Sequence, residues 1–455
     1  MATVGINFGS ATSGAGFNVT TTVSSILAIE SSVETPWKAN LTHLQAQDTA
    51  LSQLGTSLSS LSSALGALTS FDGVLAAKQG SSSDSNLLAL TGASPQAVAG
   101  SHTITITSLA QTASEYTDRI TNAKDTLSGS VTLQVGSGAS QTLTLNSSDT
   151  LASVAQTINS GKYGVTASVI TDTQGSRLSL VSNTSGAAGA LTLTSNLTDS
   201  TTSTSVAFHV GQTGADAQLT VDGLQTTSAS NTVTSAIPGV TFQLLAASTT
   251  PLQVQITNDN NAIETAVQSL VTAYNGTISA VAAQEGKDAS GNAEPLFGDP
   301  TLALLQNQLA SDLFAGTPSG ALKSITQLGL SVGNDGKLSL DLNALQSTLN
   351  THFGDLTGFF QNVGSFGQGL TSSLDQLGSV SNNGAISLAL QQNASQESGI
   401  NTNIATEDTR LAAEKTRLTS ELNQANQILQ SIPQQLNQVN EIYSAITGYA
   451  GNTTN

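Results

Sequence analysis

The chain is 455 residues long, with 38% hydrophobic and only 9% charged residues, a formal net charge of −18, a pI near 4.3 and no cysteine. Its length fits about three domains; its acidity disfavours nucleic-acid backbones and anionic membranes as partners, and the missing cysteines exclude disulfides, thiolate metal sites and cysteine nucleophiles. With charge so far below the roughly 25% of ordinary soluble proteins, Ser, Thr, Gly, Asn and Gln must supply the polar surface, and such a surface repels its own copies weakly.

Residues 1–16 are rich in Gly, Ser, Ala and Thr without periodicity and read as disordered. No basic residue precedes Lys38 and no continuous apolar core lies there, so no Sec-type leader is expected. No stretch approaches the roughly 20 apolar residues that span a bilayer. A helix is predicted over residues 18–68, broken near Thr35-Pro36 because proline disfavours helix in the residue before it. Leu44, Leu51, Leu58 and Leu65 fall at one heptad position, and Leu54, Leu61 and Leu68 repeat beside them, as a coiled-coil seam requires. Phe71-Asp72-Gly73 ends this helix.

Beyond Ala99 the period changes to two: Thr103-Ile104-Thr105-Ile106, Val131-Thr132-Leu133-Gln134-Val135 and Thr142-Leu143-Thr144-Leu145 alternate as half-buried strands do. A short helix follows, with Asp149 as its expected cap, Leu151, Val154 and Ile158 on one face, and Gly161 at its end. Strands resume at residues 165–170 and 177–182 and again over 206–256, where Asp222-Gly223 marks a turn. Helical spacing returns at Asp259, with Ile263, Val267, Leu270, Tyr274 and Val281 sharing a face. Asp299-Pro300 is an N-cap with proline at the first helical position. Asn334-Asp335-Gly336 signals a hairpin, and Asp341 caps the next helix.

A last helix is predicted over residues 385–448. Ile404, Leu411 and Leu418 step by seven along it and are expected to pair with the first leucine seam, bringing the two ends of the chain together. Pro433 must kink this helix or start a new segment. Residues 428–449 carry Ile428, Leu429, Ile432, Leu436, Val439, Ile442 and Tyr443 against a single charge, Glu441. That segment is expected to be disordered in the free subunit and to order on a partner. No basic run precedes either seam, so a DNA-binding zipper is a poor fit. The four histidines stand apart at no metal-ligand spacing, and no catalytic or cofactor constellation emerges; no cofactor, metal or enzymatic activity is expected.

Several blocks then fall into a familiar order. Phe17-Asn18-Val19 with Ala28-Ile29-Glu30, Ser108-Leu109-Ala110-Gln111, Ala217-Gln218-Leu219-Thr220-Val221-Asp222-Gly223, Ser230-Asn231-Thr232-Val233, Val271-Thr272-Ala273-Tyr274-Asn275 and Asp335-Gly336-Lys337-Leu338-Ser339-Leu340-Asp341 resemble the hook-associated protein 2 family of flagellar filament caps. Phe17 and Asn18 replace the commoner Leu-Asp. Residues 151–159 with Arg177-Leu178-Ser179-Leu180 look like the flagellin-hook insertion module.

The resemblance implies an α+β multidomain fold in which terminal helices form a coiled-coil or bundle stalk carrying two β-rich heads. The expected divisions are 1–40 plus 425–455 for terminal segments, 41–96 plus 258–424 for the stalk, 97–120 plus 205–257 for one head and 121–204 for the other. It also implies export by the flagellar type III pathway without a cleaved signal. At the distal filament tip the chain would form a ring-like homo-oligomer, commonly a pentamer, that folds and inserts flagellin. Other implied partners are hook–filament junction proteins and a cytoplasmic export chaperone holding the C-terminal segment. Another axial protein, junction or flagellin-like, and a surface adhesin on a coiled-coil stalk are the alternatives.

Overall fold

The structure, a computed structural model, describes residues 15–378 and 383–448. Its first part contains helices α1 (Val19–Glu30) and α2 (Glu34–Thr69) and strands β1 (Lys78–Ser82), β2 (Leu88–Ala93), β3 (Gly100–Ser108), β4 (Thr112–Thr117), β5 (Thr126–Val135) and β6 (Gln141–Thr150). Helix α3 (Leu151–Gly161) precedes β7 (Val165–Asp172), β8 (Gly175–Ser185), β9 (Leu191–Ser195), β10 (Leu197–Asp199), β11 (Thr204–Val206) and β12 (Phe208–Gln212). Next come β13 (Ala217–Val221), β14 (Leu224–Ser228), β15 (Thr232–Ile237), β16 (Val240–Leu244) and β17 (Ser248–Asn258). The last part holds α4 (Asn260–Gln284), α5 (Pro300–Asp312), β18 (Leu330–Val332), β19 (Leu338–Leu340), α6 (Leu342–Thr351), α7 (Phe353–Gln361), α8 (Phe366–Leu377) and α9 (Ala385–Thr447).

Residues 67–267 make one compact unit and the flanking segments another. In the first unit, β1-β17-β3-β13-β14 form an antiparallel sheet and β15-β16-β2 a smaller one. They close over a core of Leu88, Ile104, Ile106, Leu219, Val240, Phe242 and Val254. The period-two run Thr103–Ile106 explains why Ile104 and Ile106 are fully buried: alternate side chains point to one face. Asp222 and Gly223, at φ 50° and 84°, supply the two positive φ values that a tight β13–β14 hairpin needs.

A second core lies under the sheets β11-β10-β5-β6, with β9 on β5, and β12-β4-β8-β7. Leu127, Val131, Leu133, Ile158, Leu178 and Leu180 fill it. Helix α3 is capped by Thr150 rather than Asp149: the Thr150 hydroxyl accepts from the Ser153 amide in a capping box. The Asp149 carboxylate accepts instead from the Ser153 hydroxyl and the Asn146 amide.

The strand pairings move the expected divisions. Residues 78–96 were expected in the stalk, but β1 pairs with β17 and β2 with β16, so they belong to the first head. Strands β4, β11 and β12, expected in that head, pair into the sheets of the second. Pairing ladders outweigh local sequence here, because an unpaired buried amide costs more than any propensity term.

In the other unit a 3₁₀ turn at Ser31–Val33 separates α1 from α2. The break thus comes a few residues earlier than expected, and Pro36 sits in the first turn of α2, where its missing N–H is harmless. Asp299 and Asp341 cap α5 and α6 as their sequences foretell. Phe359, Phe360 and Phe366 on α7 and α8 cluster with ring centroids 5.1–6.0 Å apart. Helix α9 runs unbroken through Pro433 to Thr447, so no new segment starts there.

Candidate assembly surface

Helix α9 packs antiparallel to α1, and polar contacts tie it to the segment before α1, to α1 and to α2. The Phe17 amide donates to Asn426 Oδ1 at 2.8 Å, Glu30 and Arg410 form an ion pair at 3.2 Å, and Asn393 Nδ2 donates to Asp48 Oδ1 at 2.8 Å. Residue numbers rising from 17 to 48 on one side meet numbers falling from 426 to 393 on the other. The ends of the chain therefore do come together, but chiefly through α1. Val19, Thr22 and Val23 are the buried residues of α1, and Ile404, Leu411 and Leu418 on α9 are half-buried.

The leucine seam of α2 is placed differently from expectation. Leu44, Leu51, Leu54, Leu58, Leu61, Leu65 and Leu68 are all at most 4% exposed within a single chain. Past Asp48 the neighbour is α4, whose Thr277 hydroxyl donates to the Ser57 carbonyl at 3.3 Å, and Gln47 Nε2 donates to the Pro295 carbonyl. These leucines are buried within the single chain. Heptad spacing marks a stripe without naming what covers it.

Charge is concentrated on this hairpin. Arg410 holds Glu407 at 2.7 Å, which keeps the Glu407 carboxyl below its ordinary range. Arg417 forks to Glu414 and to Glu421, and its hydrogen bond lowers the Glu414 carboxyl in the same way. Lys38 pairs with buried Glu34 at 2.6 Å, and that hydrogen bond raises the ammonium above its usual value. Sequence reading passed over Asp48, Asn393, Arg410 and Asn426. The cluster Arg410, Lys415, Arg417 in a chain with twelve Lys and Arg was the signal available.

Beyond Asn426 the surroundings change. Leu429 and Ile432 are half-buried, whereas Ile428, Leu436, Val439, Ile442, Tyr443 and Ile446 are 45–78% exposed. They recur at three- and four-residue intervals, so they form one apolar stripe on a helix whose last 20 residues carry only Glu441. A contiguous exposed stripe of this kind marks an interaction surface. The segment is helical in the single chain, contrary to the expected disorder, because adding turns to an existing helix is far easier than nucleating one. Tyr449 lies outside the described residues.

The histidines serve locally: His102 meets Asp222 and His209 meets Asp118, each at 2.7 Å. The Thr103 amide first and His102 second lower the Asp222 carboxyl; for Asp118 the His209 bond leads. Among the described residues no group of three or more His, Cys, Asp or Glu could hold a metal, and no helix is long and apolar enough to cross a membrane.

Comparison with known proteins gives one consistent result. The family models for the N-terminus and C-terminus of flagellar hook-associated protein 2 match residues 15–113 and 214–436, and the flagellin hook IN motif matches residues 130–184. The B-type flagellar hook-associated protein 2 of Pseudomonas aeruginosa is 30% identical over 314 residues, covering 62% of this chain and 66% of that protein. The flagellar hook-associated protein 2 of Escherichia coli O157:H7 is 31% identical over 279 residues, 56% of this chain and 60% of that one. These matches span less than two thirds of the relatives' own length. The crystal structure of the flagellar cap protein FliD D1-D2-D3 domains from Escherichia coli superposes with a TM-score of 0.61 at 27% identity, covering 76% of this chain and 99% of that one.

Proposed function

We propose that this chain, which belongs to the flagellar hook-associated protein 2 family, is a subunit of a flagellar filament cap, an assembly device with no catalytic step. It would sit at the distal tip as a ring-like homo-oligomer, five subunits being the number the family resemblance implies, and promote the folding and insertion of flagellin delivered from below. The observation that carries this is the likeness along 76% of the chain to a solved flagellar cap protein, joined to an apolar stripe left uncovered at the end of α9. Among the described residues Leu51 to Leu65 are already buried within the chain, while the α9 stripe remains exposed. In the cell its occupants would be a cytoplasmic export chaperone before export and neighbouring subunits, flagellin or junction proteins afterwards. An amphipathic helix laid in a groove is the recognition mode such a stripe suits.

Electron microscopy of the purified full chain tests the reading. A plate of subunits with legs projecting from one side is expected. A trimeric fibre would overturn it in favour of an adhesin stalk.

A further inference from the structure

Three asparagines, each in a block that the sequence singled out, make the same pair of contacts. Asn159 Oδ1 accepts from the Ala167 amide and its Nδ2 donates to the Ala167 carbonyl, both at 2.8 Å. Asn231 does this to Ala110 at 2.7 and 3.0 Å, and Asn275 to Leu338 at 2.7 and 2.8 Å. In an antiparallel strand the N–H and C=O of one residue point to the same side, so every second residue offers both to a neighbour. A carboxamide is the side-chain group that presents a donor and an acceptor side by side to match them. Asn159 and Asn275, whose partners lie on β7 and β19, thus stand where the next strand's backbone would stand, while Ala110 lies just past the end of β3.

The consequence is sharpest at Asn159. Ala167 lies on β7, the last strand of the sheet β12-β4-β8-β7. By the same alternation Val165, Val169 and Thr171 also face the outer edge. Residues 165–171 read Val-Thr-Ala-Ser-Val-Ile-Thr, with no charge and no proline, and Ile170 is 58% exposed. Edges of that composition pair with other chains unless something blocks them. An edge lysine or proline is absent from this strand, whose one charge, Asp172 at its far end, is paired with Arg119 at 2.6 Å.

We propose that Asn159 is an edge guard: its carboxamide occupies the pairing site of Ala167 and keeps β7 from adding, antiparallel, to β7 of a second copy of the chain. In a protein held close to its own copies, this keeps strand addition from competing with ordered assembly.

The test uses the full chain. Asn159→Ala opens the site, and sedimentation velocity should then show a several-fold larger fraction heavier than the parent chain forms, with thioflavin T binding. Adding Ser168→Lys to that variant places like charges across the two-fold pair and should return the parent distribution. A parent-like distribution for Asn159→Ala would overturn the proposal even if its melting temperature fell. Heavier species that persist unchanged in the double variant would overturn it too, since they would arise from unfolding or another surface.

Discussion

Two apolar stripes of similar spacing meet opposite fates in this molecule. On α2, Leu44 to Leu68 are 0–4% exposed inside one chain; on α9, Ile428 to Ile446 keep 45–78% of several side chains in solvent. The difference lies in what the rest of the chain brings alongside. The α2 stripe meets α4, linked to it through Thr277 and Ser57, while among the described residues the α9 stripe beyond the Phe17–Asn426 contact stays largely in solvent. A stripe's spacing therefore reports amphipathicity, and its neighbours decide whether it becomes core or contact surface.

Paired truncations break this contrast most forcefully. Leu58→Ala should cost about 2–5 kcal/mol in the free subunit, because it opens a cavity in a packed site. Ile442→Ala on the exposed stripe should fall within about 0.5 kcal/mol. Urea unfolding of both variants reads the difference, and comparable losses would mean that the α9 stripe is core after all.

Removing residues 428–455 sharpens the contrast by function. The melt of the remaining chain should change little, while binding to the proposed export chaperone, measured by calorimetry, should disappear. Retained affinity would place the chaperone site elsewhere.

A smaller effect is expected at the polar contacts that hold α9. Arg410→Ala removes the partners of Glu30 and Glu407 and should lower the melting temperature slightly at low salt. The gap from the parent should shrink in 1 M salt, as exposed ion pairs are screened. A salt-independent gap would point to packing instead.

The smallest concerns a buried group in the second head. Burial raises the Glu115 carboxyl above its ordinary value. A folded state that holds a proton more tightly than the unfolded one is relatively favoured at low pH, and that advantage is lost as pH rises through the folded value. Glu115→Gln should therefore raise the melting temperature at neutral pH and flatten its dependence between about pH 4 and 7. An unchanged pH profile would mean that Glu115 is solvated.

Much of this architecture could be read from residues in order. The alternation at Ile104 and Ile106, the caps at Asp299 and Asp341, and the Asp222-Gly223 turn each follow from local chemistry that the chain displays openly. What stayed hidden depends on distant partners. Lys78-Gln79-Gly80-Ser81-Ser82 has no apolar alternation and becomes a strand because β17 lies beside it, with Lys78 Nζ bonding Asn258 Oδ1 at 2.8 Å. The seam leucines announced a partner without identifying it, and half the pair, α9, proved to belong with α1. Asparagines 159, 231 and 275 stood in recognisable blocks, yet their two-point contacts need folded strands to exist.

Flagellin retention tests the central claim most directly, in a cell whose own copy of this gene is deleted and replaced by a variant. The parent chain and Leu58→Val, a mild core change, should keep flagellin in filaments. Val439→Asp with Ile442→Asp, which leaves the folded core untouched, should release unpolymerised flagellin into the medium. Full-length filaments and a clean medium from the doubly substituted chain would contradict the account.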